Sequence, residues 1–246
     1  INKNIMRFSF ITCTYNRSEL LKKNIESVKK NNFKNFEHFI VDDGSTDNTV
    51  NIVKKYKHIK FIRLNKNYGQ PGAMFYSKVL TKVTGDYIIL LDSDDYLLPK
   101  VRDKIISVIS KNKEVWSFSF DILSKNRKKL NFKKKKINSK LLYHDNHPRF
   151  NNGAGYLDFL DIRNKIFYKE FLKYFKHPKY WYSSATDVYL RNNFNELFIN
   201  IKIVNYAFGV NNVTQGFNLN KYAPITLGSK KYIFNNFKHL MQKRIL

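Results

Sequence analysis

The chain has 246 residues, 43% of them apolar, and its 45 lysines and arginines against 19 acids give a formal charge of +26. This apolar fraction is enough for a folded core and excludes a largely disordered chain. The single cysteine, Cys13, excludes a disulfide scaffold and fits a reducing compartment. No apolar run approaches the roughly eighteen residues of a membrane span, and the opening residues lack the apolar region of a secretory signal. We therefore expect a cytoplasmic protein.

The large positive charge favours a polyanionic partner. Nucleic acid, an anionic membrane surface and phosphate-bearing substrates would all attract such a chain. A second explanation is genomic, because the chain is rich in Lys, Asn, Ile, Phe and Tyr together, a mixture typical of AT-rich coding sequence. Composition alone therefore leaves the partner open.

The first half of the chain alternates predicted strands and helices. Strands are predicted at residues 7–14, 36–43, 59–64 and 86–92. Helices are predicted from Ser18 to about Lys30, after a cap at Ser45 or Thr46, and from Pro71 to Gly85. Strands that alternate with helices are typical of a parallel sheet, so we expect an α/β fold.

The second half is less regular. A strand is predicted at residues 115–123, a basic loop or hairpin at 125–136, and a late strand at 197–204. Helices are predicted at residues 159–175 and near residues 186–194. The last residues place Ile233, Phe237, Leu240 and Met241 on one helical face, surrounded by basic side chains. This pattern predicts a basic amphipathic helix over residues 228–246.

Polar clusters follow the four predicted strands of the first half. They are TYNR at residues 14–17, DDGSTD at residues 42–47, NYGQ at residues 67–70 and DSDD at residues 92–95. Parallel sheets bind ligands beyond the carboxyl ends of their strands. We therefore expect the four clusters to converge on one crevice.

The acidic run from Asp92 to Asp95 has two explanations. Capping of the helix that carries Val101, Ile105 and Val108 would use one of its carboxylates. A Mg²⁺ or Mn²⁺ ion would use more of them, since such ions take one or two carboxylates and complete their shell with substrate phosphate oxygens and water. Three acids within four residues repel one another, but spacing alone does not choose between the cap and the cation.

The order TYNR, IVDDGSTDNT, NYGQPGA and GDYIILLDSDD resembles the family 2 glycosyltransferases, which have the GT-A fold and use nucleotide sugars. The resemblance is close over residues 1–100 and loose beyond them. It implies a Rossmann-like, mostly parallel central sheet flanked by helices, with an acceptor-side second half. It also implies a nucleotide-sugar-binding half at residues 1–124 and an acceptor-binding half at residues 125–227, followed by the helix at residues 228–246.

The resemblance implies roles for individual residues. Thr14 and Tyr15 would line the pocket for the base and ribose, and Asp43 would accept a hydrogen bond from the base imide, which favours uridine or thymidine. Asp92 would face the ribose or the metal, and Asp94 would be the metal ligand beside the diphosphate. The other residues expected to bind the donor are Arg17, Gln70 and Ser93. The expected cofactor is Mn²⁺ or Mg²⁺.

Neighbouring residues have plainer expected roles. Asp42 is interpreted as a turn or cap residue, and Asp95 as the cap of the following helix. The late loop at residues 209–217 lacks the histidine that many family members place near the metal or diphosphate. Asn211, Asn212 or Gln215 would take its place.

An inverting transfer needs a carboxylate that takes the proton of the acceptor hydroxyl. The resemblance implies an acidic pair at the start of a helix in the second half, and the segment SSATDVYLRNN supplies Asp187, with Thr186 in place of the first acid. A simple helix-start role stays open for Asp187. Asp158 and Asp161 are further candidates, in a stretch predicted as helix.

The resemblance thus implies a metal-dependent inverting glycosyltransferase. It would move a sugar from a nucleotide sugar, expected to be a UDP-sugar, to a glycan or lipid-linked saccharide acceptor. Bacterial members of the family build surface polysaccharides such as lipopolysaccharide or capsule, so we expect peripheral contact with the anionic inner face of the cytoplasmic membrane. Packing of the C-terminal helix on the domain is the alternative.

Two other functions stay open. A nucleic-acid-binding protein would fit the charge and the 16% aromatic content, but no recognition motif is present and the acids would repel phosphates, so we expect no nucleic-acid partner. A sugar nucleotidyltransferase of related fold would need a glycine-rich loop after the first strand. The segment TYNRSELL has no glycine.

Overall fold

The structure is a computed structural model that describes residues 6–68, 79–113, 117–122, 135–137, 155–163, 196–199 and 203–205. The helices expected at residues 186–194 and 228–246 lie outside these ranges. So does most of the helix expected from Pro71, of which Val79 and Leu80 are described and helical.

The central sheet has eight described strands. They are β1 (Phe8–Thr14), β2 (Phe36–Asp42), β3 (Ile59–Arg63), β4 (Tyr87–Leu90), β6 (Ser117–Ile122), β7 (Lys135–Ile137), β8 (Gly155–Asp161) and β9 (Glu196–Ile199). Their spatial order is β3-β2-β1-β4-β8-β6-β9-β7. A separate antiparallel pair joins β5 (Tyr96–Leu97) to β10 (Val204–Asn205).

The first half of the sheet is parallel, as predicted. β1 pairs in parallel with both β2 and β4, and β2 pairs in parallel with β3. Phe8, the first residue of β1, is opposite both Phe36 and Tyr87, the first residues of β2 and β4. Because these strands begin level with one another, the loops that follow them emerge at one edge of the sheet.

Three helices are fully bounded in the described part of the chain. They are α1 (Ser18–Lys30), α2 (Thr49–Lys54) and α3 (Arg102–Ser110). In the part of the chain that the structure describes, no helix has the length and apolar character needed to cross a membrane.

The predicted helix caps were wrong, because one carboxylate serves two helices. Ser18 is the first residue of α1, and its N–H donates to Asp47 Oδ2 at 3.0 Å. Asp47 Oδ1 accepts from the N–H of Thr49 at 3.0 Å, so neither Ser45 nor Thr46 caps α2. Both helices begin at the same edge of the sheet, which lets Asp47, two residues before α2, also serve α1.

The second half corrects two expectations. Residues 155–161, partly expected to be helical, form β8, which pairs antiparallel with both β4 and β6. Phe159 and Leu160 are buried, so pairing on both sides outweighed the helical spacing of the segment. The late strand expected at residues 197–204 is two strands, β9 and β10, in different sheets. The strand expected at residues 115–123 is confirmed as β6.

Both faces of the parallel half are covered. Phe8 and Phe10 of β1 pack with Val28 of α1 and with residues of α3 in one apolar cluster. Ile11 and Ile88 belong to the opposite face by strand alternation and are fully buried too. Burial on both faces fits the continuous apolar character of these strands.

Candidate functional site

The loops that follow the first four strands meet at the carboxyl edge of the sheet. The N–H of Asn16 donates to Ser45 Oγ at 2.9 Å, which joins the loops after β1 and β2. The N–H of Tyr68 donates to Asp43 Oδ1 at 2.9 Å, which joins the loops after β3 and β2. Arg17 Nη1 lies 3.0 Å from Asp94 Oδ2, which joins the loops after β1 and β4. The predicted convergence is confirmed by these contacts.

A tight turn after β2 shapes the floor of the site. The buried carboxylate of Asp42 accepts from the N–H of Ser45 at 3.0 Å, so its predicted role as a turn residue is confirmed. Gly44 has a φ of +73°, and a Cβ there would lie 2.6 Å from the carbonyl carbon of Lys66. Only glycine therefore allows this turn to approach the loop after β3 so closely.

Thr14, Tyr15 and Asp43 lie at the adjoining ends of β1 and β2. The N–H of Asp43 donates to the carbonyl of Thr14 at 2.9 Å. Thr14 Oγ1 is buried and has no hydrogen-bond partner among the described residues, whereas the Tyr15 side chain is 40% exposed. A nearly buried carboxylate, an orphan hydroxyl and an accessible ring are thus grouped at one place. Such a group can bind a planar polar ligand.

Tyr68 belongs to this group, although the sequence did not single it out as a site residue. Its ring is 39% exposed, and its hydroxyl donates to Asn65 Oδ1 at 2.7 Å. Its N–H orients the carboxylate of Asp43. The signal was its place in the polar cluster NYGQ, directly before the residues outside the described ranges.

The loop after β4 has an accessible acid, a buried serine and a partly buried acid in succession. Asp92 is exposed, Ser93 is buried, and the Asp94 side chain is 12% exposed beside Arg17. Ser93 Oγ lies 3.5 Å from Arg17 Nη1. Asp95 is buried, and its N–H donates to the carbonyl of Asp92 at 3.0 Å, which closes the loop into a turn.

The capping explanation of the acidic loop was wrong. The helix that it was expected to open, α3, begins at Arg102, and strand β5 intervenes. Asp95, the expected cap, is therefore too far from the helix N-terminus to serve it. The acids need another explanation.

The protein raises the pKa of Asp92 to about 6. The main cause is the density of protein around the carboxyl, the second is the negative charge of Asp94, and Arg17 acts in the opposite direction. Asp92 is nevertheless an exposed residue, and contact with solvent moderates the effect of burial on its pKa. Asp92 and Asp94 thus lie close enough to affect each other, and the ion pair with Arg17 is made by Asp94.

The donor set fits a divalent cation that is bound together with a phosphate group. Within the described ranges, no group of three or more His, Cys, Asp or Glu side chains could hold a metal ion alone. Asp92 and Asp94 supply two carboxylates, which is the number that Mg²⁺ or Mn²⁺ often takes from protein when phosphate and water supply the rest.

The candidate bases are not equally placed. Asp187 lies outside the described residues, and so does Gln70, which was expected to bind the donor. Asp161 is opposite Tyr87, at the edge of the sheet where β4 begins, and its carboxylate accepts from Arg163 Nε at 2.9 Å. It therefore lies at the edge remote from the four loops, which argues against a role as the base. Asp158 lies in β8, not in a helix, and nearer the edge with the loops.

The profile of the family described as Glycosyl transferase family 2 matches residues 9–194. The chain therefore belongs to glycosyl transferase family 2, as the sequence resemblance predicted. Over 98 residues it is 37% identical to the poly(ribitol-phosphate) beta-N-acetylglucosaminyltransferase TarS of Staphylococcus aureus, covering 38% of this chain and 17% of TarS.

A second relative is the UDP-Glc:alpha-D-GlcNAc-diphosphoundecaprenol beta-1,3-glucosyltransferase WfaP of Escherichia coli. The two chains are 33% identical over 111 residues, which cover 45% of this chain and 44% of WfaP. The matched segments thus span less than half of the length of either curated relative.

Solved structures support the same fold. S. aureus TarS 1–349 in complex with UDP-GlcNAc superposes with a TM-score of 0.62 at 21% identity, covering 84% of this chain and 60% of that chain. The mannosyltransferase PcManGT from Pyrobaculum calidifontis, in complex with GDP-Man and Mn²⁺, gives a TM-score of 0.58 at 15% identity, covering 84% and 58%. The expected GT-A fold is confirmed.

Proposed function

We propose that this protein is a metal-dependent inverting glycosyltransferase that moves a sugar from a UDP-sugar to a glycan or lipid-linked saccharide acceptor. One observation carries the proposal: a polar group of side chains with an accessible ring and an acidic loop meet at the carboxyl edge of one sheet. Arg17 links the two, since it lies two residues after Tyr15 in the chain and contacts Asp94 at 3.0 Å. A nucleoside diphosphate matches this arrangement: its planar base would lie at the polar group, and its two phosphates would lie near Arg17 and the acidic loop.

Asp43 is the proposed contact for the base. The residue is 7% exposed, and its carboxylate is oriented by the N–H of Tyr68, so it can accept a hydrogen bond from the imide N–H of uracil. Guanine also presents N–H donors, and PcManGT was solved with GDP-Man, so the fold alone does not select the base. The sequence similarity to TarS, whose structure was solved with UDP-GlcNAc, favours uridine.

Asp94 and Asp92 are the proposed metal ligands. When bound, Mn²⁺ or Mg²⁺ would offset the negative charge that develops on the departing nucleoside diphosphate. Arg17 would place a second positive charge beside the same phosphates. Thr14, Tyr15 and Ser93 would complete the donor pocket, together with Gln70.

Asp187 remains the proposed base, on the resemblance alone. The chemistry needs a carboxylate that takes the proton of the acceptor hydroxyl as the bond to the anomeric carbon forms. Asp158 is the alternative on β8. Replacing either by Asn would show which one abolishes transfer while donor binding persists.

The acceptor and the membrane surface are proposed from chemistry and relatives. The name of WfaP specifies a diphosphoundecaprenol acceptor, which is a lipid-linked saccharide. The net charge of +26 would favour an anionic surface. Co-sedimentation with vesicles that contain anionic lipid, for the full chain and for a form ending near residue 228, tests the role of the helix expected at residues 228–246. Equal binding by both forms would remove that helix from the proposal.

A thermal-shift panel tests the donor. UDP-glucose, UDP-N-acetylglucosamine and GDP-mannose would each be added with Mn²⁺ or with EDTA. We expect at least one UDP-sugar to raise the melting temperature by several degrees, and only with Mn²⁺. A preference for GDP-mannose would contradict the uridine assignment, and stabilisation that persists in EDTA would contradict metal dependence.

A further inference from the structure

Helix α1 buries a stripe of polar side chains where apolar ones would be usual. Asn24 and Ser27 lie three residues apart on α1, and Asn31, the residue directly after the helix, continues the same face four residues further on. Their exposed fractions are 0%, 9% and 5%. A buried amide costs free energy unless its donors and acceptor find partners, so each of these residues needs a structural reason.

The partners of Asn24 are the two ends of the acidic loop. Its Nδ2 donates to the carbonyl of Asp92 at 2.9 Å and to the carbonyl of Asp95 at 2.8 Å. An amide nitrogen has two hydrogens, and both are directed to this one loop. Thr12 Oγ1 lies 3.4 Å from Asn24 Oδ1, which ties the amide to the centre of β1.

We infer that Asn24 is a positioning residue that fixes the backbone of Asp92–Asp95 for the cation and the diphosphate. This inference rests on the proposed function. Asp92 and Asp94 repel each other. The hydrogen bonds from Asn24 to the backbone carbonyls of the loop restrain both residues without using up their carboxylates. A loop restrained before the ligand arrives loses less conformational entropy on binding.

Asn31, directly after α1, provides a matched control. Its Nδ2 donates to the carbonyls of Leu98 and Ser27, each at 3.0 Å, and its Oδ1 accepts from the N–H of Val101 at 3.0 Å. It therefore holds the segment after the acidic loop with the same side chain and similar burial. Asn31→Ala and Asn24→Ala should lower global stability to a similar degree.

Hydrogen exchange of the ligand-free protein separates the two residues. In Asn24→Ala, peptides that contain residues 92–95 should exchange roughly tenfold faster than in wild type or in Asn31→Ala. Exchange in β1 and β2 should be the same in the two variants. Asn24→Ser, a smaller polar change, provides the same comparison if the alanine variant folds poorly. Equal exchange of the loop in Asn24 and Asn31 variants would overturn the inference, whatever the protein binds.

Calorimetric titration of UDP in the presence of Mn²⁺ gives the second measurement. We expect the affinity for UDP to fall about tenfold in Asn24→Ala and less than about twofold in Asn31→Ala. Equal losses in the two variants would overturn the positioning role. Absence of UDP binding by the wild-type chain would instead contradict the proposed function, and the exchange measurement would still decide whether Asn24 restrains the loop.

Discussion

The two edges of the sheet both carry charged side chains, but the protein compensates the acidic charge at one edge and leaves it partly uncompensated at the other. At the edge where the strands begin, Glu37 is 3% exposed and lies 2.6 Å from Lys60 Nζ and 3.6 Å from Arg7 Nη2. Burial alone would raise the pKa of Glu37, but hydrogen bonds from Lys60 and from neighbouring hydroxyl and amide groups lower it. The ionised carboxylate is therefore stabilised by the fold itself.

At the edge where the strands end, Asp92 and Asp94 are two residues apart, and Arg17 contacts Asp94. Here the surroundings raise the pKa of Asp92 to about 6, through the density of protein around it and the charge of Asp94. Acids that the fold leaves incompletely compensated are typical of sites where a ligand brings the missing charge. The charges of one edge therefore stabilise the fold, and we propose that those of the other edge serve binding.

The largest expected effect is on turnover. Asp94→Ala should lower the rate of metal-dependent transfer about a thousandfold or more, because the proposed cation loses its main ligand. Its effect on stability should be small, since the lost contact with Arg17 is offset by relief of repulsion with Asp92. Steady-state kinetics and urea unfolding of the variant measure the two effects.

Asp103→Ala is the control, because Asp103 is an acid on α3 whose side chain is 80% exposed. Its turnover should equal that of the wild type. A variant at Asp94 that keeps its activity, and keeps its response to Mn²⁺, would contradict the assignment of the carboxyl edge.

The opposite edge should show the reverse pattern. Glu37→Gln should lower the free energy of unfolding by about 2–3 kcal/mol, because Lys60 and Arg7 lose their counter-charge. The loss is limited because both basic side chains are partly exposed and stay hydrated. Donor affinity should not change. Urea unfolding measures the loss. The control variant is Glu19→Gln, at an exposed residue. If Glu37→Gln altered UDP affinity and left stability intact, the contrast between the edges would fail.

A smaller effect on stability should come from His38, which lies between the two edges. Burial lowers the pKa of this side chain to about 3. The folded chain keeps this imidazole neutral, while the unfolded chain takes up a proton below about pH 6.5. The contribution is thus fully present above pH 6.5 and declines as the pH falls toward 3. Between pH 7 and pH 5 it should lower the stability by about 2 kcal/mol.

Urea unfolding at pH 7, 6 and 5 measures this dependence in the wild type and in His38→Gln, whose pH slope should be markedly flatter. The matched control is His58→Gln. The pKa of His58 is also lowered by burial, but this side chain is less buried. An unchanged slope in His38→Gln would place the acid sensitivity elsewhere, at one of the two edges.

The parallel half of the fold was predictable because its signals are local. Each apolar run of β1 to β4, and each polar cluster that follows one, can be recognised from a segment of about ten residues. Adjacent parallel strands then force the clusters to one edge, so Asp43 and Asp94 could be assigned to a common crevice. The antiparallel strand β8 was missed because its pairing with β4 and β6 joins residues far apart in the chain.

Two features of the site were hidden for a related reason. Asn24 follows Lys22 and Lys23 in an amphipathic helix, where a polar residue usually faces solvent, yet it is fully buried. Asp47 serves two helix N-termini, although capping rules consider only the residue next to each helix. Contacts between distant loops determine both roles, and spacing within one segment does not reveal them.

Electron paramagnetic resonance of Mn²⁺ tests most directly whether a metal and a nucleoside diphosphate share the carboxyl edge. Free Mn²⁺ would be measured with the wild-type chain and with Asp94→Asn, each with UDP, with GDP and without nucleotide. We predict that the wild type binds about one ion per chain, tightly only when UDP is present, and that Asp94→Asn loses this nucleotide-dependent binding. Mn²⁺ binding that neither nucleotide enhances, or that is unchanged in Asp94→Asn, would contradict the account.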